Sequence, residues 1–180
     1  ILEEYYNGTQ VLLELGEKLK SIYYFNRAYY LSEKNKYYES IIEYDKALEI
    51  NPQYIGALYN KGNAYNCLQQ YENALEAYSK VLVIKPDYYF ALNNIGFSLF
   101  HLRKFEDALN YLKKATEIRP DYPSAWYNIA CVNAIIKNKS EMLSNLKKSI
   151  DLDNKYKGKG RIDIAFKVYW EDRDFISLTS

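Results

Sequence analysis

Four asparagines recur 34 residues apart, at Asn26, Asn60, Asn94 and Asn128. Asparagine is a poor helix former because its amide competes for backbone hydrogen bonds, so its return at one interval needs a reason. A primary amide both donates and accepts hydrogen bonds, and it can pair with the N–H and the C=O of a bound peptide. The spacing therefore predicts a set of amides that holds an extended chain by its backbone. Duplication without selection is the alternative explanation.

The remaining reactive side chains do not form a catalytic or metal-binding set. His101 is the single histidine, expected on a helix surface, and one histidine cannot make a metal cluster. The segment GKGRID lacks the third glycine of a dinucleotide-binding loop. We therefore expect no enzyme activity, no cofactor and no metal. Four glutamates are expected on solvated helix faces among lysines: Glu43, Glu76, Glu106 and Glu117.

Charge and cysteine usage point to a cytoplasmic protein that binds neither nucleic acid nor a membrane surface. The net charge is +1, whereas nucleic-acid binders usually carry a basic excess. The one basic run, Lys155 to Arg161, is expected to be a solvated linker. Cys67 and Cys131 lack CxxC spacing and are expected to be reduced and packed. No apolar stretch approaches the about 20 residues of a membrane span. The chain opens at Ile1, which leaves open a preceding segment or a removed signal.

A ten-residue phrase containing each of the last three asparagines reveals the elements that carry them. NPQYIGALYN, KPDYYFALNN and RPDYPSAWYN follow one another at the same 34-residue interval. With Pro86 as position 32, the repeats are 21–54, 55–88, 89–122 and 123–156. Within each repeat, positions 4, 7, 8 and 11 and positions 17, 20, 24 and 27 have helical spacing, which predicts a pair of helices, A and B. Small residues at positions 8 and 20 would let the two helices approach closely, and proline at position 32 would end helix B.

This pattern resembles the tetratricopeptide repeat. The resemblance covers about three quarters of the chain; repeats 2 and 3 match strongly, repeat 1 well and repeat 4 in part. It implies an all-α fold, a right-handed superhelical solenoid of antiparallel helix pairs, and a protein-interaction module or scaffold. Positions 4, 8, 11, 20, 24, 27 and 32 carry the match, as Leu58, Gly62, Tyr65, Ala74, Tyr78, Val81 and Pro86 in repeat 2 and Leu92, Gly96, Leu99, Ala108, Leu112, Ala115 and Pro120 in repeat 3.

The two ends of the array are expected to differ from the repeats, because terminal repeats need caps. Residues 1–20 are expected to be a degenerate helix or the remnant of a preceding repeat. Residues 157–180 are expected to be a glycine-containing linker and a helix that closes repeat 4. A tyrosine at position 34 is interpreted as a wedge between successive repeats, as Tyr54, Tyr88, Tyr122 and Tyr156. The residues expected to cover repeat 4 are Ile164, Phe166, Tyr169, Trp170, Phe175 and Leu178.

The resemblance implies that helix A lines a concave groove with its positions 2, 5, 6 and 9. Stacked helices lie about 8–10 Å apart, so one asparagine per repeat matches about every third residue of an extended peptide. Asparagine ladders of this kind bind peptides in nucleocytoplasmic glycosyl-transfer enzymes and motor light chains. Besides the four position-6 asparagines, the groove is aromatic and amide-rich: Phe25, Tyr59, Asn93 and Tyr127 at position 5, Tyr29, Asn63, Phe97 and Cys131 at position 9, and Ile22, Gly56, Phe90 and Ser124 at position 2.

Three alternatives to this peptide site remain at the level of sequence. The family's carboxylate clamp is disfavoured, because Tyr59, Ser124 and Asn128 stand where it needs cations, although Asn63 and Asn94 fit. The aromatic side chains could instead pack within the protein while the asparagines bridge adjacent helices. The array could also self-associate into a homo-oligomer, fill its groove with its own chain or another copy, or serve as an assembly or targeting factor. The expected partner is otherwise a protein or peptide of unknown identity.

Overall fold

The computed structural model describes residues 2–180, and the side chains from residue 13 onward. The side chains of residues 1–12, in the expected N-terminal segment, lie outside the described residues. The chain divides into two compact units, unit 1 (Ile1–Pro86) and unit 2 (Asp87–Ser180). All regular elements of the described residues are helical. The predicted all-α class of paired helices is therefore confirmed.

Unit 1 contains four helices. They are α1 (Leu2–Glu33), α2 (Tyr37–Ile50), α3 (Ile55–Cys67) and α4 (Tyr71–Ile84). Because a three-residue turn joins α1 to α2 and another joins α3 to α4, each pair packs antiparallel, and α2 also packs against α3. Residues 2–20 are not a separate element, since α1 continues without a break into helix A of repeat 1.

Unit 2 contains two further pairs and a C-terminal segment. The pairs are α5 with α6 and α7 with α8, and α6 also packs against α7. Helix B ends two residues before the proline in each of the first three repeats, at Ile50, Ile84 and Ile118, as the sequence predicts. The elements are α5 (Tyr89–His101), α6 (Phe105–Ile118), α7 (Pro123–Ile135), α8 (Lys139–Leu152), α9 (Lys155–Ile162), a 3₁₀ helix (Ile164–Tyr169) and α10 (Arg173–Thr179).

Small residues at position 8 allow the close approach of helices A and B. A Cβ added to Gly62 would lie 2.5 Å from the Cε1 atom of Tyr78, and one added to Gly96 would overlap the side chain of Leu112. Both neighbours occupy position 24 of the same repeat. The predicted function of the small residues is therefore confirmed at these two positions, because any larger side chain would force the pair apart.

The C-terminal segment differs from the expected linker and single helix. The basic run lies inside α9, and Lys159 places its Nζ 4.2 Å from the centroid of the Tyr127 ring. Phe166 and Phe175 are buried in a core cluster with Met142 and Leu146 of α8. Ile164 is 77% exposed and Trp170 39% exposed, so these two do not cover repeat 4 as expected. The reason is the 3₁₀ helix, whose threefold repeat turns Ile164 away from the face that an α-helix would present.

Tyr54 packs as the wedge interpretation predicts, between repeats 1 and 2. The Tyr54 ring lies 4.8 Å from the Phe25 ring of the preceding helix pair. Its Cε2 atom would lie 3.3 Å from a Cβ added to Gly56. In unit 2, Tyr122 packs edge-on against Tyr89, and Tyr156 packs against Tyr127. These rings thus join the end of helix B to the helices around it.

Two surface expectations are wrong. Glu43 is buried, not solvated, and its carboxylate lies 2.7 Å from Lys46 Nζ and 3.7 Å from Arg27 Nε. Its neighbours supply the positive charge that a buried carboxylate needs. The two cysteines are free, but only Cys131 is buried, whereas Cys67 is exposed.

Candidate functional site

A directed chain of hydrogen bonds in unit 1 orients Asn60. Asn66 Nδ2 donates to the Tyr78 hydroxyl (3.1 Å), which donates to Asn63 Oδ1 (2.7 Å), and Asn63 Nδ2 donates to Asn60 Oδ1 (3.3 Å). Each donor fixes the orientation of the next amide, because a hydroxyl that accepts one bond donates the other. The Asn60 oxygen is thereby occupied, and its Nδ2 group makes no hydrogen bond within the described residues. Asn60 therefore presents N–H donors to any group beside α3.

Asn60 borders a pocket of about 200 Å³ in unit 1, which we call the unit 1 pocket. Helix α1 contributes Tyr29, which is 49% exposed, and helix α3 contributes Asn60 and Asn63. Asn26, one turn before Tyr29, is exposed on α1 but does not border the pocket. The lining residues are Tyr29, Ser32, Glu33, Tyr37, Tyr44, Asn60, Asn63, Ala64 and Cys67.

In unit 2 the amides bond to one another. Asn128 Nδ2 of α7 donates to Asn93 Oδ1 of α5 (2.9 Å), and Asn93 Nδ2 donates to Asn94 Oδ1 (2.9 Å). Asn93 is only 3% exposed, so this pairing satisfies a buried amide. Here the asparagines bridge adjacent helices, which is the alternative that the sequence left open.

A second pocket, of about 180 Å³, lies in unit 2 against the C-terminal segment; we call it the unit 2 pocket. Its walls are largely apolar, with Asn128, Lys159 and Asp163 as polar groups. His101 borders it with its ring 4.5 Å from that of Phe97, and burial lowers the pKa of His101. The lining residues are Phe97, Phe100, His101, Tyr127, Asn128, Cys131, Ile135, Lys159, Asp163, Ile164 and Ala165.

The position-5 residues expected on the groove wall are instead largely engaged in packing. Phe25 and Tyr59 are half-buried, with rings 6.0 Å from Tyr44 and 5.8 Å from Tyr78. Tyr127 is 1% exposed, and its hydroxyl donates to Asp163 Oδ2 at 2.7 Å. Position 5 faces the junction between helices A and B and the element that follows, which is why its side chains are covered.

The expected position-2 and position-9 residues are placed unevenly. Phe97 is half-buried at the edge of the unit 2 pocket, whereas Cys131 is buried. Phe90 is half-buried in an aromatic cluster, with its ring 4.1 Å from that of Tyr89 and 5.5 Å from that of Tyr122. The structure therefore gathers Tyr29, Asn60 and Asn63 at one pocket and Phe97, Tyr127 and Asn128 at the other.

Sequence reasoning missed several pocket residues, among them two on each pocket that carry polar groups. Tyr44 and Ser32 lie on faces that the repeat pattern assigns to the core and to helix–helix contact. Lys159 and Asp163 belong to the segment expected to be a linker. The only usable signal was that repeat 1 has Ser32 and Tyr29 where repeat 2 has Asn66 and Asn63.

Family models for the tetratricopeptide repeat match residues 56–88 and 89–122, and residues 21–54 and 123–156. These matches span most of the chain and coincide with its helix pairs. The chain belongs to the tetratricopeptide repeat family. Tetratricopeptide repeats are protein-interaction modules, and neither model describes an enzyme.

Solved tetratricopeptide repeat structures share the fold. PilF from Pseudomonas aeruginosa is 19% identical over 91% of this chain and 73% of its own, with a TM-score of 0.75. YrrB, described as a tetratricopeptide repeat protein with an unusual peptide-binding site, is 23% identical over 94% and 87%, with a TM-score of 0.68. The first such domain of Spaghetti (RPAP3), bound to the HSP90 peptide SRMEEVD, is 20% identical over 67% and 95%, with a TM-score of 0.64.

Curated protein sequences yield no significant match to this tetratricopeptide repeat chain. Among the described residues, none of the helices combines the length and the apolar character that crossing a bilayer requires.

Proposed function

We propose that this tetratricopeptide repeat protein binds an extended, weakly charged peptide segment of another protein along its A helices. The carrying observation is Asn60, whose amide oxygen accepts a hydrogen bond from Asn63 and whose side chain borders the unit 1 pocket. A fixed donor beside a pocket suits a peptide carbonyl, because no reorganisation is needed when the bond forms.

Two related structures support a peptide as the ligand. YrrB is described as having a peptide-binding site, and the RPAP3 domain holds the HSP90 peptide SRMEEVD. This chain has Tyr59, Ser124 and Asn128 at the positions where a carboxylate clamp needs cations. A weakly charged segment therefore fits better than an acidic C-terminus.

The unit 2 pocket supplies a different surface for the same peptide class. Its apolar walls, with Asn128 at the edge, suit a buried apolar side chain next to a backbone contact. Because Asn94 and Asn128 are already bonded to Asn93, we expect the unit 2 amides to contribute less than Asn60.

The test uses peptides selected by the wild-type protein from a random display library, with affinities measured by calorimetry. Asn60→Ala should raise the dissociation constant of a selected peptide by about fivefold, the effect of one hydrogen bond of about 1 kcal/mol. Asn94→Ala should have an effect of this size or smaller. Asn73→Ala is the matched control, because Asn73 is exposed on α4, bonds to Gln70 and does not border the unit 1 pocket. If Asn60→Ala and Asn94→Ala both bind the selected peptide with wild-type affinity and unfold at the wild-type temperature, the two asparagines do not belong to the binding site.

Self-association is a second candidate, favoured by a stripe on α1. Leu15, Leu19, Ile22 and Tyr23 are all exposed and follow the spacing of one helix face. Light scattering across a concentration series would show a mass that rises in wild type and stays monomeric in Leu15→Glu/Leu19→Glu. Val83→Glu, at an exposed site on α4 outside this stripe, should behave as wild type.

A further inference from the structure

A further pocket of unit 2, of about 360 Å³, is lined by residues of α6, α7 and α8, and we call it the amide pocket. Its volume lies within the usual range of ligand sites in proteins. The residues of α7 that line it share one helix face, and none of them borders the unit 2 pocket. The lining residues that matter here are Lys113, Glu117, Trp126, Asn133, Glu141 and Asn145.

Two nearly buried asparagines line the amide pocket. Asn133 is 4% exposed and Asn145 is 8% exposed. Each Nδ2 donates to the backbone carbonyl one turn earlier, Asn133 to Ile129 O at 3.0 Å and Asn145 to Glu141 O at 2.6 Å. Neither Oδ1 accepts a hydrogen bond from the part of the chain that the structure describes, and neither oxygen is closed off from solvent. The pocket therefore has two amide acceptors available to a ligand.

The other repeats show that the fold does not require these amides. Asn133 occupies position 11 and Asn145 position 23 of repeat 4. In unit 1 the equivalent pocket is lined at these positions by Tyr65 and Ala77. Asparagine is also the poorer helix former, so helix pairing does not explain the two amides of repeat 4. Position 11 is Leu31, Tyr65 and Leu99 in repeats 1 to 3, and position 23 is Glu43, Ala77 and Tyr111.

The charges of the lining favour a cation. Glu117 and Glu141 are exposed, and neither forms an ion pair with another described residue. Lys113 contributes one ammonium group against these two carboxylates. Further along α8, Lys147 and Lys148 border a neighbouring pocket, where Lys147 pairs with Asp151 at 2.6 Å. The unpaired carboxylates and these two lysines thus lie in different pockets.

Trp126 adds an aromatic surface to the amide pocket. Its side chain is half-buried, and its Nε1 donates to Pro120 O at 2.8 Å, which fixes the orientation of the ring. The face of an indole ring attracts cations, and a flat guanidinium group can also stack on it.

We infer that the amide pocket receives a guanidinium group, the arginine side chain of a partner protein. A guanidinium has five N–H donors and no acceptor, which matches the oxygens of Asn133 and Asn145 and the carboxylates of Glu117 and Glu141. Its flat shape suits the Trp126 ring, whereas the ammonium of lysine is compact and offers three donors. This surface is separate from the unit 1 pocket and the unit 2 pocket, and the inference does not depend on the proposed peptide site.

The ligand is tested by NMR titration of the isotope-labelled protein with N-acetyl-arginine methylamide. Trp170→Phe serves as the background, because Trp126 is then the single tryptophan. The Trp126 Nε1–H signal and the side-chain amide signals of Asn133 and Asn145 should shift to saturation in the millimolar range. The citrulline derivative, which has the same shape without the charge, should bind at least about tenfold more weakly. The lysine derivative should also bind more weakly than the arginine derivative.

Variants taken from the other repeats test the residues. Asn133→Leu and Asn145→Ala install the residues of repeats 3 and 2, so the thermal unfolding midpoint should not fall. Each should weaken binding of the arginine derivative at least about tenfold, the effect of losing one hydrogen bond to a charged group. The double variant Glu117→Gln/Glu141→Gln should weaken it as well. Glu106→Gln is the matched control, because Glu106 is exposed on α6 outside the lining.

Three results would overturn the inference. They are an arginine derivative that causes no saturable shift, a citrulline derivative that binds as tightly, and wild-type affinity in both asparagine variants. Free arginine that binds more tightly than the blocked derivative would show that the ligand is a free amino acid and not a side chain of a partner protein. Peptide selection at the unit 1 pocket is unaffected by any of these results.

Discussion

The burial, hydrogen bonding and pKa of a single side chain in this protein depend on its surroundings and not on its residue type alone. Tyr127 shows this most clearly. Its ring lies beneath Lys159, and its hydroxyl donates to Asp163, whose other oxygen accepts from the Ala165 amide at the start of the 3₁₀ helix. One carboxylate thus ties the core of repeat 4 to the C-terminal segment. Burial, reinforced by Cys131 and Asp163, raises the pKa of Tyr127 far above its ordinary value of 10.0.

This raised pKa predicts a loss of stability in alkali. Above about pH 10 an unfolded tyrosine releases its proton while the buried Tyr127 keeps it, so deprotonation stabilises the unfolded state relative to the folded state. The stability that protonated Tyr127 contributes is fully present below about pH 10. Above about pH 10, the free energy of unfolding falls by up to about 1.4 kcal/mol per pH unit for this one group. Denaturant unfolding between pH 8 and 11, with Tyr127→Phe for comparison, measures the slope.

The buried Tyr44 and the half-buried Tyr122 also have raised pKa values, so Tyr127→Phe should reduce the alkaline slope without abolishing it. Identical slopes for the variant and wild type would contradict the prediction.

The helix pair is the repeating element, and the turn between its two helices adopts the same backbone conformation each time. In all four repeats the residue at position 15 has a left-handed conformation, with φ between 57° and 62°, and none of the four is glycine. The amide of the next residue bonds back five residues, as Lys36 N to Leu31 O at 2.9 Å. This arrangement is a Schellman cap, in which glycine is the usual residue. The four residues are Asn35, Gln69, Arg103 and Lys137.

Gln69→Gly should therefore stabilise the protein. It relieves a left-handed strain of about 1–2 kcal/mol, less the entropy that glycine adds to the unfolded chain, about 0.5–1 kcal/mol. The expected net gain is up to about 1 kcal/mol in urea unfolding. Asn35→Gly is the control and should gain less, because asparagine tolerates this conformation. A loss of stability in Gln69→Gly would show that the glutamine side chain matters more than its backbone.

The close spacing of the two helices within a pair predicts that enlarging Gly96 destabilises the protein. Gly96→Ala should destabilise the protein by about 1–3 kcal/mol, since the new methyl group overlaps Leu112. Gly16→Ala on α1 meets no atom within 4 Å and should stabilise by up to about 1 kcal/mol through helix propensity. The thermal unfolding midpoints of the two variants measure these effects. A Gly96→Ala variant more stable than wild type would mean that α5 and α6 can separate at little cost in free energy.

At the scale of the whole molecule, each unit has its own buried cluster. In unit 1 it is built from Ala28, Tyr44, Ala47 and Ala57. In unit 2 the residues after repeat 4 complete the cluster, because Phe166 and Phe175 cover Met142 and Leu146. Lys139 of α8 adds ion pairs of 2.6 and 2.8 Å to Asp172 and Asp174 at the start of α10.

Phe166→Ala should cost about 3–5 kcal/mol of unfolding free energy, as expected for a buried aromatic side chain. Ile164→Ala, two residues earlier but 77% exposed, is the control and should change little. Removal of residues 157–180 should expose the repeat 4 core and cause association visible by light scattering. A Phe166→Ala variant as stable as the control would show that the C-terminal segment does not complete the core.

The sequence alone determined the period, the helix pairs and their ends. Proline at position 32, small residues at position 8 and apolar residues at helical spacing are local signals, and each acts within one repeat. The Pro-x-Tyr phrase also predicted the wedge that Tyr54 forms against Phe25. These features could be predicted because short-range sterics and one buried stripe per helix fix them.

Only the tertiary structure decided which groove candidates were covered. Asn93 and Tyr127 occupy position 5 like Tyr59, yet a neighbouring amide and the C-terminal segment bury them. Tyr44 and Tyr78 are the same residue at the same position, but only the Tyr78 hydroxyl bonds to side-chain amides, those of Asn63 and Asn66. Burial and hydrogen bonding depend on residues distant in sequence, so a pattern within one repeat cannot fix them.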